Sequence, residues 1–286
     1  MNWKGVIPAI TTPFREDLSV DHEFLAKHAK WMIDSGCTGI VALGSLGEGA
    51  TLELDEKVAV LQTLVRGLRA PVAAAISALS TDAAARLAKK AEEIGCSGLM
   101  VLPPYVYSTD WREMKAHVSA VIRATKLSCM LYNNPIAYRT DFLPEQVAEL
   151  AEEHDNLDAV KESAADIRRV TSLRSLLGNR LVIFVGVDDL IVEGLAAGAV
   201  GWIAGLVNAL PKESVALFNG ADIYHWFLPL LRLDTGPKFV QLIKLVQAEA
   251  GMGSERVRPP RLALAGDERA AALELIRGAL KSRPRL

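Results

Sequence analysis

Residues 36–44 read GCTGIVALG, and the same pattern returns at residues 95–103 as GCSGLMVLP. A looser copy, GAVGWIAG, occupies residues 198–205. Each copy follows a helix-like segment: one glycine ends the helix, a second turns the chain, and an uninterrupted apolar run begins. A strand that is apolar at every position suits a sheet covered on both faces. The repeat therefore predicts a helix, a glycine turn and a buried parallel strand.

Extending this pattern along the chain predicts eight strands that alternate with helices. The strands are expected near residues 5–11, 38–43, 71–77, 97–102, 127–132, 157–161, 181–186 and 199–204, and the helices near residues 21–35, 53–69, 80–94, 109–124, 144–153, 165–176 and 188–197. This order is typical of an α/β (β/α)8 TIM barrel. A doubly wound sheet is the competing layout, but GSLGEG at residues 44–49 does not match its GxGxxG fingerprint. We expect the barrel to span residues 1–210 and residues 211–286 to form a C-terminal helical extension packed on it.

Composition excludes several classes of protein. The chain has 286 residues with 32 Lys+Arg and 34 Asp+Glu, a net charge of −2, so it lacks the excess of cations that a strongly basic nucleic-acid binder needs. Three cysteines, Cys37, Cys96 and Cys129, lie in apolar runs, which predicts buried free thiols in a reducing compartment. Because no signal-peptide pattern or membrane-length apolar run is present, we expect a cytoplasmic protein without a membrane partner.

Lys161 is the first candidate for chemistry, since active sites of such barrels lie at the carboxyl ends of the strands. It follows the run LDAV at residues 157–160 and precedes polar residues. A lysine partly withdrawn from water loses stability in its ammonium form, and its free amine attacks carbonyl carbon to form a Schiff base. The alternative interpretation is a strand-end lysine paired with a nearby carboxylate.

Two more segments end predicted strands. Tyr132 ends the strand before Lys161; its hydroxyl is either a proton relay for the carbinolamine or the surface end of a packed aromatic ring. The loop GSLGEGATL at residues 44–52 offers backbone N–H groups and the Ser45 hydroxyl, which suit a carboxylate. Glu48 in this loop is either an acid/base, or a residue that caps the next helix or fixes the loop.

Together these segments resemble the dihydrodipicolinate synthase/N-acetylneuraminate lyase family of Schiff-base (β/α)8 enzymes. The matching motifs are TTPF at residues 11–14, GSLGE at 44–48, YNNP at 132–135 and VKES at 160–163. Segments at residues 103–105 and 186–189 also fall where that family has related ones. The resemblance covers nearly the whole chain, and four motifs in the correct order are far more specific than any one alone.

The resemblance implies roles for individual residues. Lys161 would form the Schiff base with a 2-oxo acid, Tyr132 would relay protons, and Ser45 with the amides from Gly44 to Gly47 would hold the substrate carboxylate. Leu46 and Tyr105 fall among the substrate-binding positions, and Ile203 matches a position whose backbone carbonyl faces the lysine. The family's pattern also implies a homotetramer that needs no metal or organic cofactor, because the lysine itself is the electron sink.

Departures from the family's motifs bear on the substrate. The synthase that condenses pyruvate with aspartate semialdehyde usually carries GTTGE, and here Leu46 replaces the second threonine. The synthase also carries a PYY motif, and Val106 stands here at the position of its second tyrosine, unless Tyr107 takes that role. The arginine of the synthase's YNxPxR motif aligns with Ala137. These departures argue against lysine biosynthesis, and sialic acid lyase fits no better.

A catabolic lyase, dehydratase or deaminase on a small 2-oxo or cyclic 2-imino acid remains. The run YNNPIAY at residues 132–138 resembles members linked to hydroxyproline breakdown, which convert a hydroxypyrroline carboxylate to 2-oxoglutarate semialdehyde. Cleavage of a 2-oxo-3-deoxy sugar acid uses the same early steps, so both stay open.

Other interpretations are weaker. The intact lysine and tyrosine motifs disfavour a non-catalytic barrel that binds a small acid. The five histidines do not have the spacing of metal ligands, which disfavours a metal-dependent aldolase. Arg139 either binds a distal carboxylate or is a solvated loop residue. The aromatic cluster of Tyr224, Trp226 and Phe227 either packs in a core or subunit contact or forms a substrate lid.

Overall fold

Parallel strands curve into a barrel with helices around it, in a computed structural model that describes residues 1–104, 106 and 110–286. Within those residues the strands are β1 Gly5–Pro8, β2 Ile40–Ala42, β3 Val72–Ile76, β4 Gly98–Val101, β5 Ser128–Asn133, β6 Leu157–Glu162, β7 Val182–Val185 and β8 Gly201–Ala204. Their order in the sheet is β1-β8-β7-β6-β5-β4-β3-β2. The predicted (β/α)8 TIM barrel is confirmed.

The barrel closes where β1 changes partner. After Pro8, Ala9 still donates its N–H to Ala204 O at 2.9 Å, but it also pairs with Val41, and Ile10 N donates to Val41 O at 2.9 Å. The apolar run predicted as one strand over residues 5–11 therefore leaves the β8 ladder and reaches β2. Both ends of the sheet are joined by this bridge.

The glycine repeat has a direct structural basis. Gly36, Gly95 and Gly198 open the three copies, and all have positive φ values, 104°, 97° and 103°. Only glycine adopts this region without steric cost, so it reverses the chain directly after a helix. The backbone then runs into β2, β4 and β8, which are buried throughout.

Helices alternate with the strands as predicted. They are α1 His22–Asp34, α2 Leu54–Gly67, α3 Thr81–Ile94, α4 Trp111–Arg123, α5 Pro135–Tyr138, α6 Pro144–Glu153, α7 Arg168–Leu177, α8 Ile191–Ala196, α9 Pro211–Phe218, α10 Tyr224–Leu231, α11 Phe239–Glu249 and α12 Gly266–Lys281. The short helix α5 is absent from the sequence prediction. It forms because the Asn134 side chain accepts a hydrogen bond from Ala137 N and Pro135 occupies the first helical position.

The segment after β8 packs on the barrel. Val240, Ile243 and Val246 of α11 belong to the same hydrophobic core as the strands. Phe227 is fully buried and Trp226 Nε1 donates to Ala279 O at 3.0 Å, so this part of the aromatic cluster packs as core and forms no lid. This continuity supports treating residues 211–286 as an extension of the barrel, as we propose, and not as a second domain.

The three cysteines are buried and free, as predicted.

Candidate active site

Lys161 and Tyr132 lie side by side at the carboxyl ends of β6 and β5. The register of the two strands pairs these residues directly. Lys161 Nζ lies 4.0 Å from the centroid of the Tyr132 ring, and both side chains are buried. The structure thus brings together the two residues that the sequence placed at the ends of consecutive strands.

The Lys161 amine is buried. Among the described residues it forms no salt bridge, which does not agree with the alternative interpretation of a lysine paired with a carboxylate. Burial lowers the pKa of Lys161 to about 8, an effect that the Asp234 and Asp188 carboxylates partly oppose. Near neutral pH a substantial fraction of the amine is therefore unprotonated and nucleophilic.

Gly186, directly after β7, makes room for the lysine. A Cβ atom at this position would lie 2.0 Å from Ser163 Oγ and 2.5 Å from Lys161 Cε. No real Cβ approaches its neighbours so closely, so any larger residue would displace the lysine side chain or the serine hydroxyl. Sequence reasoning did not assign a role to Gly186 or to Ser163, because the requirement appears only when the neighbouring strands are in place.

Ser45 lies next to an aromatic pair. Its Oγ hydrogen-bonds with the hydroxyl of Tyr138, the last residue of α5. The Tyr138 ring packs edge-on against Tyr132, with ring centroids 5.8 Å apart. The structure therefore connects Ser45 to Tyr132 through Tyr138, a residue to which the sequence gave no role. Burial raises the pKa of Tyr132 to about 12, so its phenol stays protonated near neutral pH and can donate a proton.

The loop after β2 leaves backbone donors available. Glu48 N and Gly49 N donate to Ser45 O and Gly44 O at 3.1 Å, which forms the turn. Within the described part of the chain, the N–H groups of Ser45, Leu46 and Gly47 donate no hydrogen bond. Consecutive free N–H groups beside a hydroxyl form a site suited to a carboxylate.

Glu48 faces the C-terminal extension. Its Oε1 accepts a hydrogen bond from Lys244 Nζ of α11 at 2.5 Å, and its Oε2 accepts one from Arg258 N at 2.9 Å. Both side chains of the ion pair are almost completely buried. Since both carboxylate oxygens are engaged there, Glu48 fixes the loop, which was one of the two roles left open by the sequence.

The remaining predicted residues are distributed around the barrel. Leu46 is buried in the hydrophobic core, and Ile203 is buried in β8. Arg139 is exposed directly after α5, with a left-handed φ of 57°. Tyr105 and Tyr107 lie outside the described residues.

Two carboxylates near Lys161 were missed. Asp188 follows β7 and accepts hydrogen bonds from Trp202 Nε1 at 2.9 Å, Gly205 N at 3.1 Å and Leu206 N at 2.7 Å. Asp234 ends a 3₁₀ turn, Arg232–Asp234, that follows α10. The strand-end rule that selected Lys161 also fits Asp188, but no sequence signal places Asp234 at the barrel.

Neither a metal centre nor a membrane span emerges from the described residues. No group of three or more His, Cys, Asp or Glu side chains among them is arranged to hold a metal ion. None of the helices in residues 1–104, 106 and 110–286 is both long and apolar enough to cross a bilayer.

Comparisons with known proteins agree with one another. The sequence model of the dihydrodipicolinate synthetase family matches residues 2–279. The 4-hydroxy-tetrahydrodipicolinate synthase of Pelobacter propionicus is 31% identical over 283 residues, covering 95% of this chain and 96% of the relative. The enzyme of that name from Clostridium perfringens is 36% identical over 214 residues, covering 74% of this chain and 73% of the relative.

Solved structures are similar over almost the whole chain. A crystal structure of a putative dihydrodipicolinate synthetase from Pseudomonas aeruginosa has a TM-score of 0.90 at 30% identity, covering 97% of this chain and 100% of its own. A dihydrodipicolinate synthase from Bacillus anthracis has a TM-score of 0.91 at 26% identity, with full coverage of both chains.

Proposed function

The chain belongs to the dihydrodipicolinate synthetase family of class I Schiff-base lyases, and we propose that Lys161 forms the Schiff base with a small 2-oxo acid or cyclic 2-imino acid. The observation that carries this proposal is the position of Lys161: its amine is buried, lies 4.0 Å from the centroid of the Tyr132 ring and has no salt-bridge partner among the described residues.

Each part of the site then has a chemical task. The free N–H groups from Ser45 to Gly47 hold the substrate carboxylate, which places the adjacent carbonyl or imine carbon near Lys161. The Tyr132 hydroxyl donates a proton to the oxygen that leaves, which is the carbinolamine oxygen of a 2-oxo acid or the C4 hydroxyl of the cyclic imino acid. Tyr138 hydrogen-bonds with both Ser45 and Tyr132 and so completes a chain of hydroxyl groups along which protons move.

For the substrate, we favour a cyclic 2-imino acid, with the protein acting as a 1-pyrroline-4-hydroxy-2-carboxylate deaminase. The contacts of Ser45 support this choice: its partner is the hydroxyl of Tyr138, while Arg139 is exposed. The apolar Leu46 side chain, buried in the core, offers no hydroxyl where the synthase motif has a second threonine.

The reaction balances with water as the only co-reactant. Lys161 Nζ attacks ring C2 and the C2–N bond breaks, which leaves a lysine iminium and a primary amine on C5. Loss of a proton from C3 gives an enamine that expels the C4 hydroxyl as water. Double-bond migration turns the C5 amine into an imine. Hydrolysis of the two imines releases ammonia and 2-oxoglutarate semialdehyde, so one water leaves and two are consumed.

The second candidate is 4-hydroxy-tetrahydrodipicolinate synthase, since the curated relatives described above carry this name. Aldol cleavage of a 2-oxo-3-deoxy sugar acid needs the same lysine and tyrosine and differs only in the later steps.

Reductive trapping tests the proposal. The protein is incubated with cyanoborohydride and either pyruvate or 1-pyrroline-4-hydroxy-2-carboxylate, and adducts are located by peptide mass spectrometry. We expect an adduct on Lys161 with both compounds, turnover of the cyclic imine to the semialdehyde, and neither result for Lys161→Met. Lys57→Met, on α2, serves as the matched control. Turnover of pyruvate with aspartate semialdehyde, with none of the imine, would instead assign the synthase reaction. If the folded protein forms no adduct with either compound, the remaining interpretation is a non-catalytic barrel that binds a small acid.

We also propose a cytoplasmic homotetramer, on the strength of the resemblance. Light scattering should give four times the chain mass of 30.9 kDa, and a smaller mass would contradict this.

A further inference from the structure

The C-terminal extension places a carboxylate at the barrel mouth, the end of the barrel where the strands have their carboxyl ends. Asp234 lies against Gly205, the residue after β8: a Cβ atom on Gly205 would be 2.2 Å from Asp234 Oδ1 and 2.5 Å from Oδ2. The N–H of the same glycine donates to Asp188 at 3.1 Å. The absence of a side chain at residue 205 is therefore what allows the Asp234 carboxylate to reach this position.

Asp234 Oδ1 is buried and has no hydrogen-bond partner among the described residues. An unsatisfied buried carboxylate oxygen is costly, and a folded protein seldom retains one without a use. The neighbouring Asp188 differs, because three donors engage its carboxylate. Asp188 thus organises the loop after β8, and Asp234 is the acceptor left available for a ligand.

The charge of Asp234 acts on both residues of the proposed chemistry. Burial lowers the pKa of Lys161, and Asp234 is the stronger of the two carboxylates that oppose this shift. Burial raises the pKa of Tyr132, and the Asp234 charge raises it further. The carboxylate therefore belongs to the same electrostatic site as Lys161 and Tyr132, although it comes from a segment 73 residues beyond the lysine (234 − 161).

Building on the proposed function, we propose that Asp234 binds the ring nitrogen of a cyclic 2-imino acid and carries the proton which that nitrogen gains when its bond to C2 breaks. A carboxylate oxygen without a partner is the natural acceptor for a protonated imine N–H. The same oxygen, once protonated, is the donor to a departing amine.

The proton transfer leaves Asp234 unchanged overall. Attack of Lys161 Nζ on C2 gives a carbon that bears both Nζ and the ring nitrogen. Asp234 takes a proton from Nζ and delivers one to the ring nitrogen. The C2–N bond then breaks, its electron pair stays on the ring nitrogen, and the lysine iminium remains. With a 2-oxo acid the departing atom is the carbinolamine oxygen, which takes its proton from Tyr132 and leaves as water, so this reaction does not need Asp234.

The environment of Asp234 suits a group that both takes and gives a proton. Burial and the nearby Asp188 charge raise the pKa of Asp234 well above its usual range, while Lys161 opposes the shift. Its pKa thereby moves toward that of the lysine, which is the condition for efficient exchange between them.

The test compares two probes on the full-length protein. Wild type and Asp234→Asn are incubated with cyanoborohydride and either pyruvate or 1-pyrroline-2-carboxylate, a cyclic imine without the hydroxyl, and the rate of adduct formation on Lys161 is measured. For Asp234→Asn we expect pyruvate trapping at the wild-type rate or faster, because one carboxylate that favours the ammonium form is gone. Trapping of the cyclic imine should slow by about 100-fold.

Two variants separate this role from a general loss of charge or fold. Glu268→Gln removes a carboxylate of the same C-terminal extension, one that pairs with Lys238, and should leave both rates unchanged. Gly205→Ala retains Asp234 but displaces its carboxylate, and should reproduce the selective loss.

The outcomes are distinguishable. Equal slowing of both probes in Asp234→Asn, or no slowing of either, would overturn the role of Asp234 alone, since the wild type would still open the cyclic imine. A wild type that traps pyruvate but neither cyclic imine would overturn the imino-acid substrate, and the role of Asp234 with it.

Discussion

Lys161 Nζ lies 4.0 Å from the centroid of the Tyr132 ring, across two neighbouring strands whose register pairs these residues directly. The face of an aromatic ring attracts a cation, while burial disfavours one. The amine thus lies against the ring with no salt-bridge partner among the residues that the structure describes, and its protonation is sensitive to pH.

The rate of Schiff-base formation should rise with pH and reach half its maximum near pH 8. Burial lowers the pKa of Lys161 to about 8 against the opposing charges of Asp234 and Asp188, and the unprotonated amine is the nucleophile. At a pH of about 7, roughly a tenth of the amine is then free, compared with less than about 0.1% for an ordinary lysine. Cyanoborohydride trapping of pyruvate across the pH range measures this, and a rate that still climbs steeply above pH ~10 would be inconsistent with it.

Replacing Tyr138 by Phe should lower turnover by about 10- to 100-fold and leave Lys161 able to trap pyruvate. The variant keeps the ring that packs on Tyr132 and removes only the hydroxyl that contacts Ser45. Ile136→Ala, at a residue of the same short helix whose side chain is 64% exposed, is the matched control and should retain full activity. Steady-state kinetics with the cyclic imine would reveal the difference, and an unchanged turnover number for Tyr138→Phe would remove Tyr138 from the proton relay.

Replacing Gly186 by Ala should abolish trapping at Lys161 and destabilise the fold by about 1–3 kcal/mol. The added Cβ would lie 2.5 Å from Lys161 Cε, so the lysine or the strand must shift. Gly278→Ala is the control, because a Cβ there on α12 meets nothing within 4 Å and should stabilise the helix by about 0.5–1 kcal/mol. Urea unfolding measures the change in stability, and adduct mass spectrometry measures trapping at Lys161. If Gly186→Ala traps pyruvate at the wild-type rate, the lysine does not need this space.

Replacing Glu48 by Gln should cost about 3–5 kcal/mol of unfolding free energy, because it leaves the buried Lys244 ammonium without its counter-charge. Replacing both residues, as Glu48→Gln with Lys244→Met, should recover part of the loss. Asp34→Asn breaks the exposed Lys30–Asp34 pair and should cost less than about 1 kcal/mol. Pyruvate trapping by folded Glu48→Gln should persist, and its loss would return Glu48 to the role of acid/base.

The sequence was sufficient for the barrel and for the centre of the site. The strands are local apolar runs; β2, β4 and β8 follow a glycine turn, and Gly36, Gly95 and Gly198 have the left-handed backbone that this turn requires. Lys161 and Tyr132 were found because they end such runs, and consecutive parallel strands bring their carboxyl ends together. These are properties of short segments, so the order of residues along the chain already contains them.

The sequence by itself determined the strands, the helices between them other than α5, and the lysine and tyrosine at the strand ends, because these follow from periodicity and turn chemistry within a few residues. Only the tertiary structure decided that Asp234 reaches the barrel mouth, that Lys244 pairs with Glu48, and that Gly186 and Gly205 must lack side chains. Each of these depends on how segments far apart in the chain pack together. The local sequence of the extension does not predict which strand end it will contact, so its contribution to the site depends on tertiary packing alone.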